Sequence, residues 1–349
     1  MPKYMLVDGF NMAFRAYYAV RELTRMDGFP TNALYGWVRS MWKLVDDQKP
    51  NETIVFFDLG GAQAKLALLP EYKANRGETP EEFEKQVPII KDLTRAMGYG
   101  IYEKHGVESD DLLAAYANKL CGDDPDATVL IVSADKDFAQ SVNERIHMLL
   151  PPPTANPRLG WRLMDPSGVE EKFGVKASQI SDYLSLIGDS SDNILGIPGV
   201  GPKTAVKWLN EYGDIDSIFE NADKLKPVRF QELVTTMVDR MAINRKIITF
   251  DPDCGPESIS LGSVDPGALF EILEEMEMAK KRGAKIYGEV IGYALNGDAH
   301  HITATSPGGE GAARCLKLAL NNAGINREDV DYINAHGTST GADATETQA

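Results

Sequence analysis

Carboxylates dominate the residues able to do chemistry in this chain: Asp8, Asp58, Glu108, Asp110, Asp111, Asp135, Asp137, Asp189 and Asp192. Gathered in one cleft, they would repel one another and lose hydration, so the cluster is tolerable only with cations among them or protons retained. Hard oxygen donors suit Mg²⁺ or Mn²⁺. Two such ions about 4 Å apart can activate water, neutralise a scissile phosphate and stabilise its leaving oxygen, which is phosphodiester hydrolysis. His105 and His147 are the only histidines before residue 279, so chemistry there runs mainly on carboxylates, amines or bound metal. Taken singly, each acidic motif also has a plainer meaning. VESDDLLAAYANKL opens an amphipathic helix in which Glu108 and Asp111 can share a face, and the same residues are common N-caps. SADKD, with Asp135 and Asp137 at a strand end, reads equally as a turn, and GDSSDN, with Asp189 and Asp192, as an Asx-rich one.

Two stretches offer positive partners. LPEYKANRGETPEEFEKQ places Tyr72, Lys73 and Arg76 just before a helix expected near Thr79 or Pro80. Spaced three apart, Lys73 and Arg76 share a face if helical and can grip one phosphate, while Tyr72 offers a stacking surface; a solvated loop is the alternative. In GIPGVGPKTAVKWL, glycines let backbone amides approach a phosphate, and a helix beginning near Pro202 carries Lys203, Thr204 and Lys207 in its first turns. This is a helix-hairpin-helix pattern, a sequence-independent phosphate clamp, with a simple turn between helices as the alternative.

The elements that must position these groups follow from patterning. Short apolar or β-branched runs ending in acid occur at residues 4–8, 53–58 and 128–137, with helical patterns between them, the rhythm of a parallel α/β sheet. Ligand sites in such sheets lie beyond the carboxyl ends of the strands, so three strands deliver acid to one edge. Residues 178–244 are helical in character apart from the Gly/Pro-rich turn, and PPPTANP at 151–157 reads as a surface loop.

Composition sets the outer bounds. With 349 residues, 43% hydrophobic and 25% charged, the chain is that of a soluble globular protein of about two domains, which excludes collagen, coiled coil and wholesale disorder. No apolar run approaches the roughly 20 residues that cross a bilayer, and MPKYMLVDGF lacks a signal peptide's features, so a cytoplasmic protein without membrane partners is expected. Cys121, Cys254 and Cys315 have no paired spacing and read as reduced thiols. A net charge of −16 has the wrong sign for holding nucleic acid by bulk charge, so any such site must be local. The segment 279–349 has 7 basic and 8 acidic residues, so the acidity belongs to the part before it.

DGFNMAFRAYYA, FFDLGG, LPEYKANRGETPEEF, GVESDDLLA, SADKDFAQ and GDSSDNILGIPGVGPKTA, in that order, resemble the 5′-nuclease family: the 5′-nuclease domain of bacterial DNA polymerase I, the bacteriophage 5′-exonucleases and the flap endonucleases. The resemblance covers about residues 4–278. It implies a PIN-like parallel sheet flanked by helices, with a helical arch and a helix-hairpin-helix subdomain, and a division into residues 1–177, 178–278 and 279–349. It further implies a structure-selective 5′-to-3′ exonuclease and flap endonuclease acting on DNA with 5′ ends or flaps, and on RNA primers, in replication and repair at the nucleoid. Asp8, Asp58, Glu108, Asp110, Asp111, Asp135 and Asp137 match the family's metal-binding acids, with Asp189 and Asp192 on the second-ion side. The cofactor would be two Mg²⁺ ions, with Mn²⁺ as substitute. Lys73, Arg76 and Arg15 match residues that engage the reacting phosphate, and Tyr72 the aromatic at the base of the arch. Gly199, Gly201 and Lys203 match the hairpin that holds duplex, where K⁺ often binds. No polymerase domain follows, so a stand-alone nuclease is expected.

Residues 279–349 resemble a different family, the β-ketoacyl-acyl-carrier-protein synthases, through NAHGTST at 334–340. His336 matches one of that family's catalytic histidines, but its nucleophilic cysteine and second histidine have no counterpart, and Cys315 stands on a helical pattern in the wrong place. Covalent acyl transfer needs the thiolate, so no synthase activity is expected. A partial thiolase-like fragment of this size buries little core, so poor order or weak self-association is expected of it. The rival reading of the whole chain is a branched-DNA-binding protein whose cleavage the fused tail impairs.

Overall fold

Residues 2–20, 23–24, 28–153, 159–273 and 310–330 are described by the computed structural model. Six strands, β1 (Lys3–Asp8), β2 (Glu52–Phe56), β3 (Gly100–Tyr102), β4 (Thr128–Val132), β5 (Ile146–Leu150) and β6 (Arg162–Met164), form one sheet in the order β3-β2-β1-β4-β5-β6. All neighbours run parallel except β5 and β6. The register pairs Leu6 with Ile54 on one side and with Ile131 on the other, so the acidic ends of β1, β2 and β4 finish at a common edge.

Strand alternation divides the core into two layers. Leu6, Ile54, Phe56, Val129 and Ile131 point to one side, and Met5, Val7, Val55, Leu130 and Val132 to the other. Both faces are apolar, as a parallel sheet with helices on both sides requires. The helices before β6 are α1 (Gly9–Ala19), α2 (Asn32–Gln48), α3 (Gln63–Leu68), α4 (Glu81–Glu84), α5 (Val87–Ala96) and α6 (Ser109–Asp123). From α6, Leu112, Leu113 and Tyr116 fill the first layer; Trp37 and Met41 of α2 and Ile90 and Leu93 of α5 fill the second. The Trp37 indole N–H donates to Thr94 Oγ1 at 3.1 Å, satisfying the one polar atom of that buried ring.

After the sheet come α7 (Pro166–Phe173), α8 (Ile180–Ile187), the two-residue strands β7 (Gly188–Asp189) and β8 (Ile194–Leu195), α9 (Pro202–Tyr212), α10 (Ile215–Glu220), α11 (Gln231–Thr236), α12 (Val238–Ile248) and α13 (Pro266–Leu273). Trp208 and Leu209 of α9 and Met241 and Ile247 of α12 join the first layer, so this helical part shares the sheet's core. The helix expected near Thr79 or Pro80 is α4, a single turn after Pro80, with α5 following. Pro151, expected on a surface loop, is buried where the chain leaves β5; residues 154–158 lie outside the described residues.

The chain divides into two units, Met1–Glu274 and Glu275–Ala349. Described residues of the second form one helix, Glu310–Ala323, carrying Cys315, and a short turn at Arg327–Asp329. His336 lies outside the described residues. Among the described residues no helix is long and apolar enough to cross a membrane.

Candidate metal centre and nucleic-acid interface

Each acid is fixed by the element it ends or begins. Asp8, last in β1, caps α1: its Oδ1 accepts from the Asn11 N–H at 3.1 Å and its Oδ2 from Ser133 Oγ at 2.7 Å. Asp58, two residues past β2, accepts the Ser109 N–H at 2.7 Å and so caps α6, placing Glu108, Asp110 and Asp111 at that helix's positive end. After β4, Asp135 accepts the Asp137 N–H at 3.0 Å while its own N–H donates to Ser133 Oγ at 3.0 Å. The turn readings of SADKD and GDSSDN therefore hold, with Asp189 accepting the Ser191 N–H at 2.9 Å, whereas Glu108 at the start of α6 makes no side-chain capping bond and the cap comes from Asp58.

Asp8, Asp58, Glu108, Asp110 and Asp135 line a cavity of about 520 Å³ together with Arg15, Lys73 and Arg76. Beside it, Asp137, Asp189 and Asp192 bring carboxylate oxygens within 4.8 Å of one another, as do Glu108, Asp110 and Asp111. Lys136, between Asp135 and Asp137, ion-pairs with Asp189 at 2.9 Å. Every predicted acid thus lines this cavity or belongs to one of the two carboxylate groups.

The basic residues face these acids. Lys73 adopts a left-handed φ of 56°, held there as its N–H donates to the Asp192 carbonyl at 2.9 Å. That conformation is costly for a lysine, and it directs the ammonium to Glu108, with Asp192 at 3.7 Å. Arg76 pairs with Asp192 at 2.6 Å and is still half-exposed. Arg15 also lines the cavity, but its guanidinium donates to the Pro152 carbonyl, outside that cavity's lining, rather than to one of the acids. Tyr72 departs from the expectation of a stacking surface. Its ring is 5% exposed, and its hydroxyl donates to Glu108 at 3.0 Å and Asp192 at 3.2 Å, so it braces carboxylates instead.

Burial decides where protons reside. It pushes the Asp8 carboxyl up to about 7 against the hydrogen bonds from Ser133 and Asn11. Burial, then repulsion from Asp135 and Asp189, pushes Asp137 up to about 8. Asp110 and Asp135 are also raised, burial leading in both. Glu108 is lowered: burial works against its charge, but Lys65 and Lys73 outweigh it. Carboxyls kept protonated chiefly by burial are groups from which a divalent cation would displace the proton, and Asp137 Oδ1 is buried without a hydrogen-bond partner. An oxygen-only donor set of this density fits hard divalent ions.

The hairpin residues sit apart from the acids but on connected backbone. Gly196 passes so close to Gly188 that a Cβ would lie 2.4 Å from its nitrogen, and Gly199 turns with φ of 78°. Gly201 precedes α9, Pro202 takes its first position, and the exposed Lys203 and Lys207 stand one turn apart with Thr204 between. Sequence reasoning missed Lys65, Lys136 and Ser133. Ser133 and Lys136 flank or interrupt the acidic motif and could have been read from it; Lys65, in GAQAKLAL, has no local signal.

A parallel α/β sheet with acids from three strand ends and a helix N-terminus, faced by lysine and arginine, defines the PIN-like metal-dependent nucleases. Residues 3–174 match the family model for the 5′-3′ exonuclease N-terminal resolvase-like domain, and residues 175–264 that for the 5′-3′ exonuclease C-terminal SAM fold. A 5′-3′ exonuclease of Aquifex aeolicus is 31% identical over 277 residues, covering 78% of this chain and 91% of that protein. The chain belongs to the 5′-3′ exonuclease family. DNA polymerase I of Rhizobium leguminosarum is 37% identical over 256 residues, 71% of this chain but 24% of that protein, so the chain spans about a quarter of that relative's length. Among solved structures, the fold is shared with bacteriophage T5 5′-exonuclease bound to zinc (TM-score 0.59, 23% identity, 78% of this chain and 98% of that one). It is shared also with the T5 flap endonuclease in a pseudo-enzyme-product complex with DNA and metal ions (TM-score 0.61, 22% identity, 80% and 99%). Residues 287–349 match a separate family model, the beta-ketoacyl synthase C-terminal domain.

Proposed function

We propose that this chain is a structure-selective 5′-nuclease that cuts DNA at 5′ ends and flap junctions, and RNA primers in the same setting, by two-metal-ion hydrolysis. The observation that carries the reading is the 520 Å³ cavity, where acids from β1, β2, β4 and α6 face Lys73 and Arg76. Mg²⁺ is the proposed ion, with Mn²⁺ able to replace it. Asp8, Asp58, Glu108, Asp110 and Asp135 would hold one ion, and Asp137, Asp189 and Asp192 the other, with Asp111 beside the first group. When bound, the ions supply charge for the scissile phosphate and lower the pKa of water.

The chain's own residues do the rest. Lys73 and Arg76, anchored on acids in the cluster, stand where a phosphate entering the cavity would meet two cations, and Arg15 adds a third from α1. Tyr72 and Ser133 hold Glu108 and Asp8 in place by hydrogen bonds. Lys203, Thr204 and Lys207, with the Gly199 and Gly201 amides, would grip the duplex backbone without reading bases, a loop to which K⁺ is also assigned. We assign the nuclease core with its arch to residues 1–177 and the duplex-binding part to residues 178–278. Residues 279–349 are assigned an incomplete ketosynthase-like fragment with vestigial His336, and weak self-association.

The test is cleavage of a 5′-flap duplex labelled at either end, with Mg²⁺ and with EDTA. Mg²⁺-dependent cutting near the junction is expected. Tight binding with no cutting in either condition would replace this reading with that of a branched-DNA-binding protein.

A further inference from the structure

We propose that Lys65 is a positioning residue: a fixed cation that sets the orientation of Glu108 from behind, with Asp111 serving Lys65 rather than a metal ion. The proposal rests on the nuclease reading only for its rate measurement. Lys65 lies on α3, and its ammonium contacts Glu108 Oε2 at 2.8 Å and Asp111 Oδ2 at 2.7 Å. All three side chains are nearly sealed, at 11%, 9% and 5% exposure. The other Asp111 oxygen, Oδ1, accepts the Asp251 N–H at 3.0 Å, so both of its oxygens are engaged within the protein.

Direction separates the neighbouring acids. Consecutive residues on a helix diverge by about 100°. Asp110 lines the 520 Å³ cavity with Lys73 and Arg76, whereas Asp111 lines a different cavity, of about 720 Å³, together with Lys65. Glu108 borders both. Its Oε2 is held by Lys65 and by the Tyr72 hydroxyl, while Oε1 faces Lys73. Lys65 thus fixes which oxygen of Glu108 is offered to the cavity that would take the phosphate, and Asp111 keeps Lys65 from swinging away. Such partners behind a ligating carboxylate act on metal affinity.

The experiment is Mn²⁺ binding to the full chain without DNA, followed by electron paramagnetic resonance of the free ion. Lys65→Met is expected to weaken Mn²⁺ binding about tenfold or more without changing the number of ions bound. Lys65→Arg, which keeps the charge, is expected to recover most of that loss. Asp111→Asn is expected to follow Lys65→Met, whereas Asp135→Asn lowers the number of ions bound. Cleavage by Lys65→Met is expected to recover at high Mn²⁺, as a defect of affinity should. If Lys65→Met unfolds, the double variant Lys65→Met/Asp111→Leu removes both buried charges and reports the same loss of affinity in a folded chain. Unaltered Mn²⁺ affinity in a folded Lys65 variant, no recovery by Lys65→Arg, or fewer ions bound by Asp111→Asn would each overturn the proposal. A wild-type chain that binds Mn²⁺ but cuts no DNA would instead fail the nuclease reading and leave the binding arms standing.

Discussion

Lys73 and Asp135 test opposite halves of the same cavity. Asp135→Ala or Asp189→Ala is expected to abolish cutting while sparing DNA binding, checked by single-turnover cleavage beside a binding titration. Near-normal cleavage by the Asp135 variant would remove the two-ion reading. Lys73→Ala is expected to lower the rate more than the affinity, because the role proposed for its ammonium is at the reacting phosphate rather than on the duplex. The buried acids also predict a pH response. Asp8 and Asp137 have ordinary values of 3.8 when unfolded but about 7 and about 8 when folded, so the folded chain binds their protons more tightly. That stabilisation is complete below about 3.8 and is lost as pH rises through 7 to 8. In EDTA, Tm should therefore fall between pH 5 and 8, and saturating Mg²⁺ should flatten the fall by replacing protons. A Tm that rises across that range in EDTA would contradict the assignment.

At the level of elements, β1, β2, β4 and the start of α9, unlike β3, β5 and β6, were legible because each carries a local pattern, an apolar or β-branched run ending in acid for the strands and Gly-x-Gly-Pro-Lys for the helix. What was not legible is set by tertiary contact. Nothing in GAQAKLAL foretells that α3 delivers its lysine to a helix 43 residues later. Tyr72 looked like a stacking surface because sequence cannot tell which side of a loop is covered. Gln86 is a further case: fully buried between α4 and α5, its side-chain oxygen accepts the N–H groups of Ala33 and Leu34 at 2.9 and 3.2 Å, capping α2 from a distant segment. Gln86→Leu is expected to strand those donors and cost about 1–3 kcal/mol, read as a lower denaturation midpoint at constant m. For α9, charge reversal at Lys203 and Lys207 should weaken DNA binding about equally for all sequences. It should also reduce the salt dependence by about 1 in log–log slope for each phosphate that is no longer neutralised.

Across the whole molecule, a −16 chain that grips a polyanion is consistent only if its acids are locally neutralised, and the ions proposed for the cluster do that where it matters. Deleting residues 279–349 is expected to leave cleavage intact or improved, and to remove any concentration-dependent association seen by sedimentation. Loss of all activity on deletion would show that the tail belongs to the folded nuclease. The full chain is expected to release no carbon dioxide from a malonyl thioester. The β7–β8 ribbon carries a consequence at this scale. Asp189 lies on β7, and the glycine turn directly after β8 leads to α9 at Pro202, so the proposed cutting centre and the proposed duplex grip share one short, hydrogen-bonded length of backbone. On the proposed reading that ribbon is a ruler. The interval between the gripped phosphates and the broken bond is then written in the protein rather than in the base sequence, and lengthening the ribbon would move the cut along the strand.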